Sequence, residues 1–547
     1  MRTEEIKIKM RDNVHLQSFL FLPAGEGPFP ALLARCMYGT DRLEDEARSW
    51  TEKGYAVVLQ NVRGRHGSEG GRSGRQDYSE DGYDTMEWMV TRPWCNKRIG
   101  TFGRSALARA QVATAFLAHP AHRAMSPEVL PYGMGSHLGG AFMFSQIPQW
   151  LYWAQSGPEL NPFELVDWMP HLFKLPVTSV LDDLGGPLDL YREFVTNPLK
   201  IYGWSTKGPD KFKVLKIPNF MVTGWYDHCG TGPVDFFMQT MRYGSEEQKS
   251  NTHLIIGPWD HSADGDAAGE YDFGPHADLD HKAVEATFFA YHLQGIPPPK
   301  PLAPVKIFVM GRNTWRDEGE WPLSRAKDTK FYLHSNGDVR GAWIRGSLSL
   351  DSPGDESPDY FTYDPADPVP TWGGANSAPA SALSMKRGPR DQRITLYRKD
   401  VLTFYSEPLK EPLEATGSLK LILYAASSAR DTDFTAKLMD VSPDGDARLL
   451  SDGVARARFR HGLDRPEFIE PGKVYRYEID LWFTSNEFQY GHRIALAISS
   501  SNFPRIDRNL NTGGDNEQDT YFIPADQTIF HSAQYPSHLI LPVVRDR

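Results

Sequence analysis

The chain has 547 residues, too many for one hydrophobic core, because cores stop growing at roughly 250–300 residues; two or three domains are expected. A composition of 40% hydrophobic and 24% charged residues excludes a disordered or collagen-like chain. The formal charge of −11 is spread along the chain without a Lys/Arg block, which argues against a nucleic-acid partner, and no window approaches the roughly 18 apolar residues of a membrane span.

The opening MRTEEIKIKMRDNVHLQ is charged and alternating, unlike the apolar core of a secretory signal. Cys36, Cys95 and Cys229 show no CxxC spacing and no even-numbered framework, so a cytoplasmic location is expected and Cys229 reads as an inert small hydrophobe. EIKIKMRDNVHLQSFLFLP alternates around the turn RDN and predicts a hairpin. FPALLARCMYG and GYAVVLQNVRGRHGSEG begin as buried strands and end in loops, with the helical pattern DRLEDEARSWTEKG between them.

SEDGYDTMEWMVTRPW predicts a helix, and RIGTFGRSALARAQVATAFLAHP predicts a strand, a Gly-flanked turn and an Ala-rich helix. Two more strand-plus-loop units come later, PNFMVTGWYDH and THLIIGPWDHS. Strands alternating with helices imply an α/β fold with a mostly parallel sheet. Aromatic, Pro-punctuated stretches between Ala124 and Lys216 imply a helical cap over the strand ends. The Pro-rich joint from Pro297 to Pro304 precedes short alternating segments such as SLKLILYAA and HRIALAISS, the pattern of a C-terminal β-sandwich. The expected division is an α/β domain over 1–123 and 217–300, a cap over 124–216, and a sandwich over 301–547.

Ser105 follows a strand and precedes a helix, where a strained turn would expose its oxygen. The helix behind it aims free N–H groups at that oxygen, making Ala106 N–H a candidate oxyanion donor. Asp227 closes the loop after one apolar strand and His261 the loop after the next. The order Ser, Asp, His is that of α/β-hydrolases. His261 is read as general base and Asp227 as the group that orients it. His66, His137, His228 and His253 compete for the base role but read as structural or pocket-lining. His228 and Asp260 are too near Asp227 and His261 along the chain for the orienting geometry.

These residues resemble the cocaine esterase and X-prolyl dipeptidyl peptidase (CocE/NonD) family of α/β-hydrolases. The resemblance rests on RCMYGT, GRSALA, GWYDH and GPWDH, and in the C-terminal half on VKIFVMGRNTWR, FTYDPADPVPTWGG, SARDTDFTAKLMDV and GHRIALAISSSNFPRIDRN. It implies a jelly-roll for the C-terminal domain and an oxyanion hole formed by the Tyr38 hydroxyl with Ala106 N–H. Ala106 and Ala108 depart from the Tyr and Gly that relatives carry in the elbow.

The expected activity is hydrolysis of a small-molecule ester or amide through an acyl-Ser105 intermediate, with no cofactor and no metal. Ester cleavage is favoured over peptide cleavage because no acidic cluster for an amino terminus is visible. An acyltransferase or tailoring enzyme, an X-prolyl or aminoacyl peptidase, and a carbohydrate- or protein-binding scaffold are the alternatives. The oligomeric state, including a homo-oligomer, is left open.

Overall fold

The computed structural model describes residues 1–71, 78–155, 166–185, 188–199, 209–376 and 386–545. Part of the expected cap, at 156–165, 186–187 and 200–208, lies outside these residues.

The first sheet is built from β1 (Arg2–Lys9), β2 (His15–Leu22), β3 (Phe29–Cys36), β4 (Ala56–Asn61), β5 (Cys95–Arg104), β6 (His122–Glu128), β7 (Asn219–Gly224), β8 (Thr252–Gly257), β9 (Val305–Val309) and β10 (Thr314–Glu318). Their spatial order is β1-β2-β4-β3-β5-β6-β7-β8-β9-β10. From β4 to β9 every neighbouring pair is parallel, while the N-terminal hairpin and β10 add antiparallel edges. Strands β4, β7 and β8 are buried along their whole length, which explains their unbroken apolar runs: a parallel strand is covered on both faces.

Helices α1 (Glu44–Glu52), α2 (Tyr78–Val90) and α3 (Ala106–Ala115) pack on this sheet. The chain lays down β3, then β4 on one side, then β5 on the other. The loops after β3 and β5 therefore part at a topological switch point, where ligands of open α/β sheets bind. Tyr38 lies in the first loop and Ser105 in the second.

Two expected boundaries fall inside the sheet. Strand β6 is a central strand, so the excursion expected over 124–216 leaves the sheet only after Glu128. Past the Pro-rich joint, β9 pairs in parallel with β8 and β10 pairs with β9, so the sheet ends at Glu318 rather than at 300.

The excursion contains α4 (Ile147–Gln155), α5 (Trp168–Leu172) and α6 (Leu188–Thr196). Ile147, Leu151, Trp168, Leu172, Tyr191 and Val195 form its own small core, which also takes in Cys229 and Phe503. Hydrogen bonds tie it to the C-terminal half: Arg456 N–H donates to Gly139 O at 2.8 Å, and Phe142 N–H donates to the Asp507 side chain at Oδ1, 2.6 Å away.

Among the described residues between Ala326 and Val544, eleven strands form a second sheet in which all pairs but one are antiparallel. Its inward residues, among them Leu421, Leu423, Phe434, Leu438, Leu481 and Leu496, share one core. One of these strands, β11 (Tyr475–Phe488), bonds to the end of β9: Met310 N–H donates to Ser485 O, and Glu487 N–H donates to Met310 O. No helix among the described residues is long and apolar enough to cross a membrane.

Candidate active site

Ser105 joins β5 to α3 with φ 56° and ψ −117°, a left-handed region that costs a non-glycine residue about 1–3 kcal/mol and persists only where its surroundings over-determine it. Gly103 allows this turn. Its φ is +124°, and a Cβ there would stand 2.9 Å from the Leu107 Cβ. The strained residue is held by its neighbours: Ser105 N–H donates to Glu128 O at 3.0 Å, and Arg109 N–H donates to Ser105 O at 3.1 Å. Ala106, the residue after the serine, opens the helix, and Ala108 is fully buried in the core.

A second layer of charge lies beneath this elbow. Glu128, fully buried, sits 3.3 Å from Arg104 Nε and 2.8 Å from Lys282 Nζ, and Lys282 also reaches Glu46 and Glu285 at 3.0 Å each. Burial is the largest influence on Glu285 and holds its carboxyl up at about 7.

Asp227 and His261 come from the loops after β7 and β8. Trp225 N–H donates to Gly257 O and Tyr226 N–H to Trp259 O, both at 2.9 Å, which locks the two loops together. The glycines of GWYD and GPWDH make room for this. A Cβ on Gly224 would stand 2.1 Å from Trp259 O, and one on Gly257 would stand 2.3 Å from the Trp259 ring. Asp227 Oδ1 lies 2.7 Å from His261 Nδ1. The same oxygen accepts from Cys229 N–H at 2.9 Å, and Oδ2 accepts from the Thr223 hydroxyl at 2.9 Å.

Burial pushes the Asp227 carboxyl upward, but the charge and hydrogen bond of His261, with help from His228 and Cys229 N–H, outweigh it and bring the carboxyl down to about 2. A carboxylate on Nδ1 fixes the tautomer that leaves Nε2 as a proton acceptor.

The other candidates take other places. His228 packs against His261 with ring centroids 4.1 Å apart and planes tilted by 45°, and its Nδ1 is 3.8 Å from Asp227, too far for a hydrogen bond. Burial, then the neighbouring His261, holds His228 well below its usual range, so it is a neutral wall. Asp260 pairs with Arg387 at 3.2 Å. His137 meets the Ser136 hydroxyl and His253 meets Ala303 O, both at 2.9 Å; His66 is half-buried beside Gly39.

Asp227, His228, Cys229 and His261 bring four potential ligand atoms within 4.8 Å of one another. Asp227 is already committed to three donors, and burial keeps the Cys229 thiol protonated. Such a set suits proton transfer better than cation binding.

Tyr38 Oη accepts from Trp150 Nε1 at 3.2 Å, and its ring stacks on Trp153 with centroids 4.3 Å apart. Burial pushes the hydroxyl up, so it remains protonated. An oxygen that accepts from Trp150 still carries its own hydrogen for donation. Ser105, His261, Tyr38 and Ala106 all line one cavity of about 400 Å³. Three side chains of α4 line it too, Gln149, Trp150 and Trp153, together with Gln146 just before the helix. They were not singled out from the sequence, although their i, i+3, i+4, i+7 spacing marks one face of a helix.

Two family models match the chain: X-Pro dipeptidyl-peptidase (S15 family) over residues 12–263, and the X-Pro dipeptidyl-peptidase C-terminal non-catalytic domain over residues 300–540. The chain is similar to a cocaine esterase from Rhodococcus sp. (strain MB1 Bresler), 33% identical over 585 residues, covering 99% of this chain and 98% of that protein. Among solved structures it is similar to an α-amino acid ester hydrolase, at 25% identity and a TM-score of 0.83, covering 99% of this chain and 96% of that one. An aminopeptidase from a Thaumarchaeota archaeon of marine sediment shares the fold, with a TM-score of 0.87 at 24% identity, covering 100% and 96% of the two chains.

Proposed function

Because the chain belongs to the X-Pro dipeptidyl-peptidase (S15) family, with a cocaine esterase among its relatives, and is a serine ester hydrolase, we propose that Ser105, His261 and Asp227 are its triad and that Tyr38 and Ala106 N–H form its oxyanion hole. The observation that carries this reading is the 2.7 Å Asp227–His261 pair, whose imidazole faces the same cavity as the strained Ser105. Ser105 Oγ attacks the ester carbonyl as His261 Nε2 takes its proton. The tetrahedral oxyanion is held by the Tyr38 O–H and Ala106 N–H, donors in place before charge develops. His261 returns the proton to the leaving alcohol, then activates a water that releases the acid from Ser105.

The substrate is an uncharged or anionic small-molecule ester rather than an X-prolyl peptide or aminoacyl ester. Among the described residues lining the cavity are four arginines, Arg42, Arg104, Arg109 and Arg387, of which Arg104 pairs with Glu128 and Arg387 with Asp260, and a single carboxylate, Glu46, which Lys282 already engages at 3.0 Å. A substrate ammonium would find no uncommitted carboxylate in that lining. We also keep the three-part division, a hydrolase domain carried through β10, an intervening cap and a C-terminal β-domain, as part of this proposal. Labelling with a fluorophosphonate probe, together with hydrolysis of neutral and α-amino esters, tests the reading. Wild type should label and prefer the neutral ester, and Ser105→Ala should do neither; label retained by Ser105→Ala would remove Ser105 from the nucleophile's place.

A further inference from the structure

The roof of the cavity carries a buried polar side chain that packing does not require. Helix α4 buries Ile147 and Leu151 in the cap core and turns Gln149, Trp150 and Trp153 to the cavity, with Gln146 just before its first residue. Trp150 and Trp153 are engaged with Tyr38. Gln149 is 1% exposed, yet neither its amide oxygen nor its amide nitrogen has a hydrogen-bond partner. Leaving both ends of a buried carboxamide unmade is costly, and each such exception calls for an explanation. Packing alone supplies none, since a methionine would fill the same volume without polar atoms.

Resting on the ester-hydrolase reading, we propose that Gln149 is a substrate-binding residue, and that the substrate is an ester carrying an uncharged amide-type group, –CO–NH–, close to its scissile carbonyl. A primary carboxamide offers one acceptor and two donors. Its complement is a group that presents a carbonyl and an N–H together. An ammonium would satisfy only the oxygen of Gln149 and a carboxylate only its nitrogen, whereas a secondary amide meets both. The position fits this assignment: Gln149 lies next to Trp150, which holds Tyr38, so the group it reads sits beside the carbonyl that the oxyanion donors receive. Because the amide lies at the cavity wall rather than projecting from it, engagement takes a rotation of the Gln149 side chain toward the ligand. Gln146, just before the helix begins, lines the same cavity.

The test compares two esters of equal length, ethyl N-benzoylglycinate, which carries the amide, and ethyl 4-phenylbutanoate, which has only carbon there, followed by pH-stat. Wild type should prefer the amide-bearing ester by roughly tenfold or more in kcat/KM, the range of a pair of neutral hydrogen bonds. Gln149→Met should bring that ratio to within about threefold of unity, mainly through KM, while melting no lower than wild type, because a buried unpaired amide has been replaced by an apolar isostere. Gln149→Glu, which keeps an acceptor and loses the donors, should also lose the preference, and it serves if the Met variant does not fold. A wild type that cleaves both esters equally, or a Gln149→Met enzyme that keeps the preference, overturns the assignment of Gln149 and leaves the triad reading standing. A wild type that cleaves neither ester and resists the fluorophosphonate probe overturns both.

Discussion

The floor and the roof of the cavity are built on opposite terms. The floor comes from strand ends of one sheet, and its reacting groups are fixed in place: Asp227 accepts from three donors, and Ser105 N–H is held by Glu128 O. The roof comes from α4, and it mixes a hydrogen bond and a ring stack on Tyr38 with a carboxamide that has no partner. Groups fixed on strand ends lose nothing to reorganisation when charge appears, which is what chemistry requires. Groups left unmatched are satisfied by a ligand, which is what recognition requires. The difference teaches that one cavity can separate rate from choice by assigning each to a different element.

If that separation holds, damage to the floor should fall on kcat, and damage to the roof should be smaller. The largest effect within the floor short of the nucleophile itself is expected for Asp227→Asn, on the order of 10⁴-fold in kcat, because the wrong His261 tautomer is then favoured. Asp260→Asn, which removes the charge facing Arg387 and keeps an oxygen for Ser262 N–H, should cost far less; the opposite ranking would reassign the acid. Tyr38→Phe, at the seam between floor and roof, should lower kcat by about a hundredfold to a thousandfold with KM less affected. A change below about threefold would send the search for an oxyanion donor elsewhere.

Trp150→Phe removes the N–H that orients the Tyr38 hydroxyl and should cost roughly three- to tenfold, in keeping with one neutral hydrogen bond. In a Tyr38→Phe background the same change should add almost nothing, since there is no hydroxyl left to orient. Additive losses in that cycle would show that Trp150 acts on its own.

The smallest effect concerns stability. A folded-state carboxyl brought down from 3.8 to about 2 contributes stability that is complete above the unfolded value and is lost as pH falls through the folded one. For Asp227 the loss should amount to about 2 kcal/mol between roughly pH 5 and pH 1. Denaturant titrations of wild type and Asp227→Asn across that window should converge toward acid pH by this amount, and parallel curves would mean that Asp227 keeps its ordinary titration.

The floor was legible in the sequence because each of its residues ends an apolar run. Ser105, Asp227 and His261 follow strands whose composition declares them, and their glycines mark close approaches that the backbone then uses. Strand β6 was not legible, since HRAMSPE contains Arg123, Pro127 and Glu128 and mimics a loop. It is a strand because β5 and β7 flank it and Arg104 and Lys282 neutralise its buried carboxylate. Long-range pairing overrode local propensity there. The roof was half legible: the aromatic stretch suggested a cap, but which face of α4 turns toward Ser105 depends on contacts with Tyr38, more than a hundred residues away. The jelly-roll topology expected from the resemblance goes further than the antiparallel sheet described above.

The continuation of the first sheet through β9 and β10 bears on how the protein is made. A nascent chain that has emerged only as far as the Pro-rich joint already holds Ser105, Asp227 and His261, yet β8 is still an unpaired edge of an apolar parallel sheet. Such an edge is a template for pairing with other chains. It is closed only when Val305–Glu318 follows, and the end of β9 then waits for β11, which supplies Ser485 O and Glu487 N–H. A fragment ending at the joint would therefore carry every reactive group together with an open apolar sheet edge, and would be prone to aggregate.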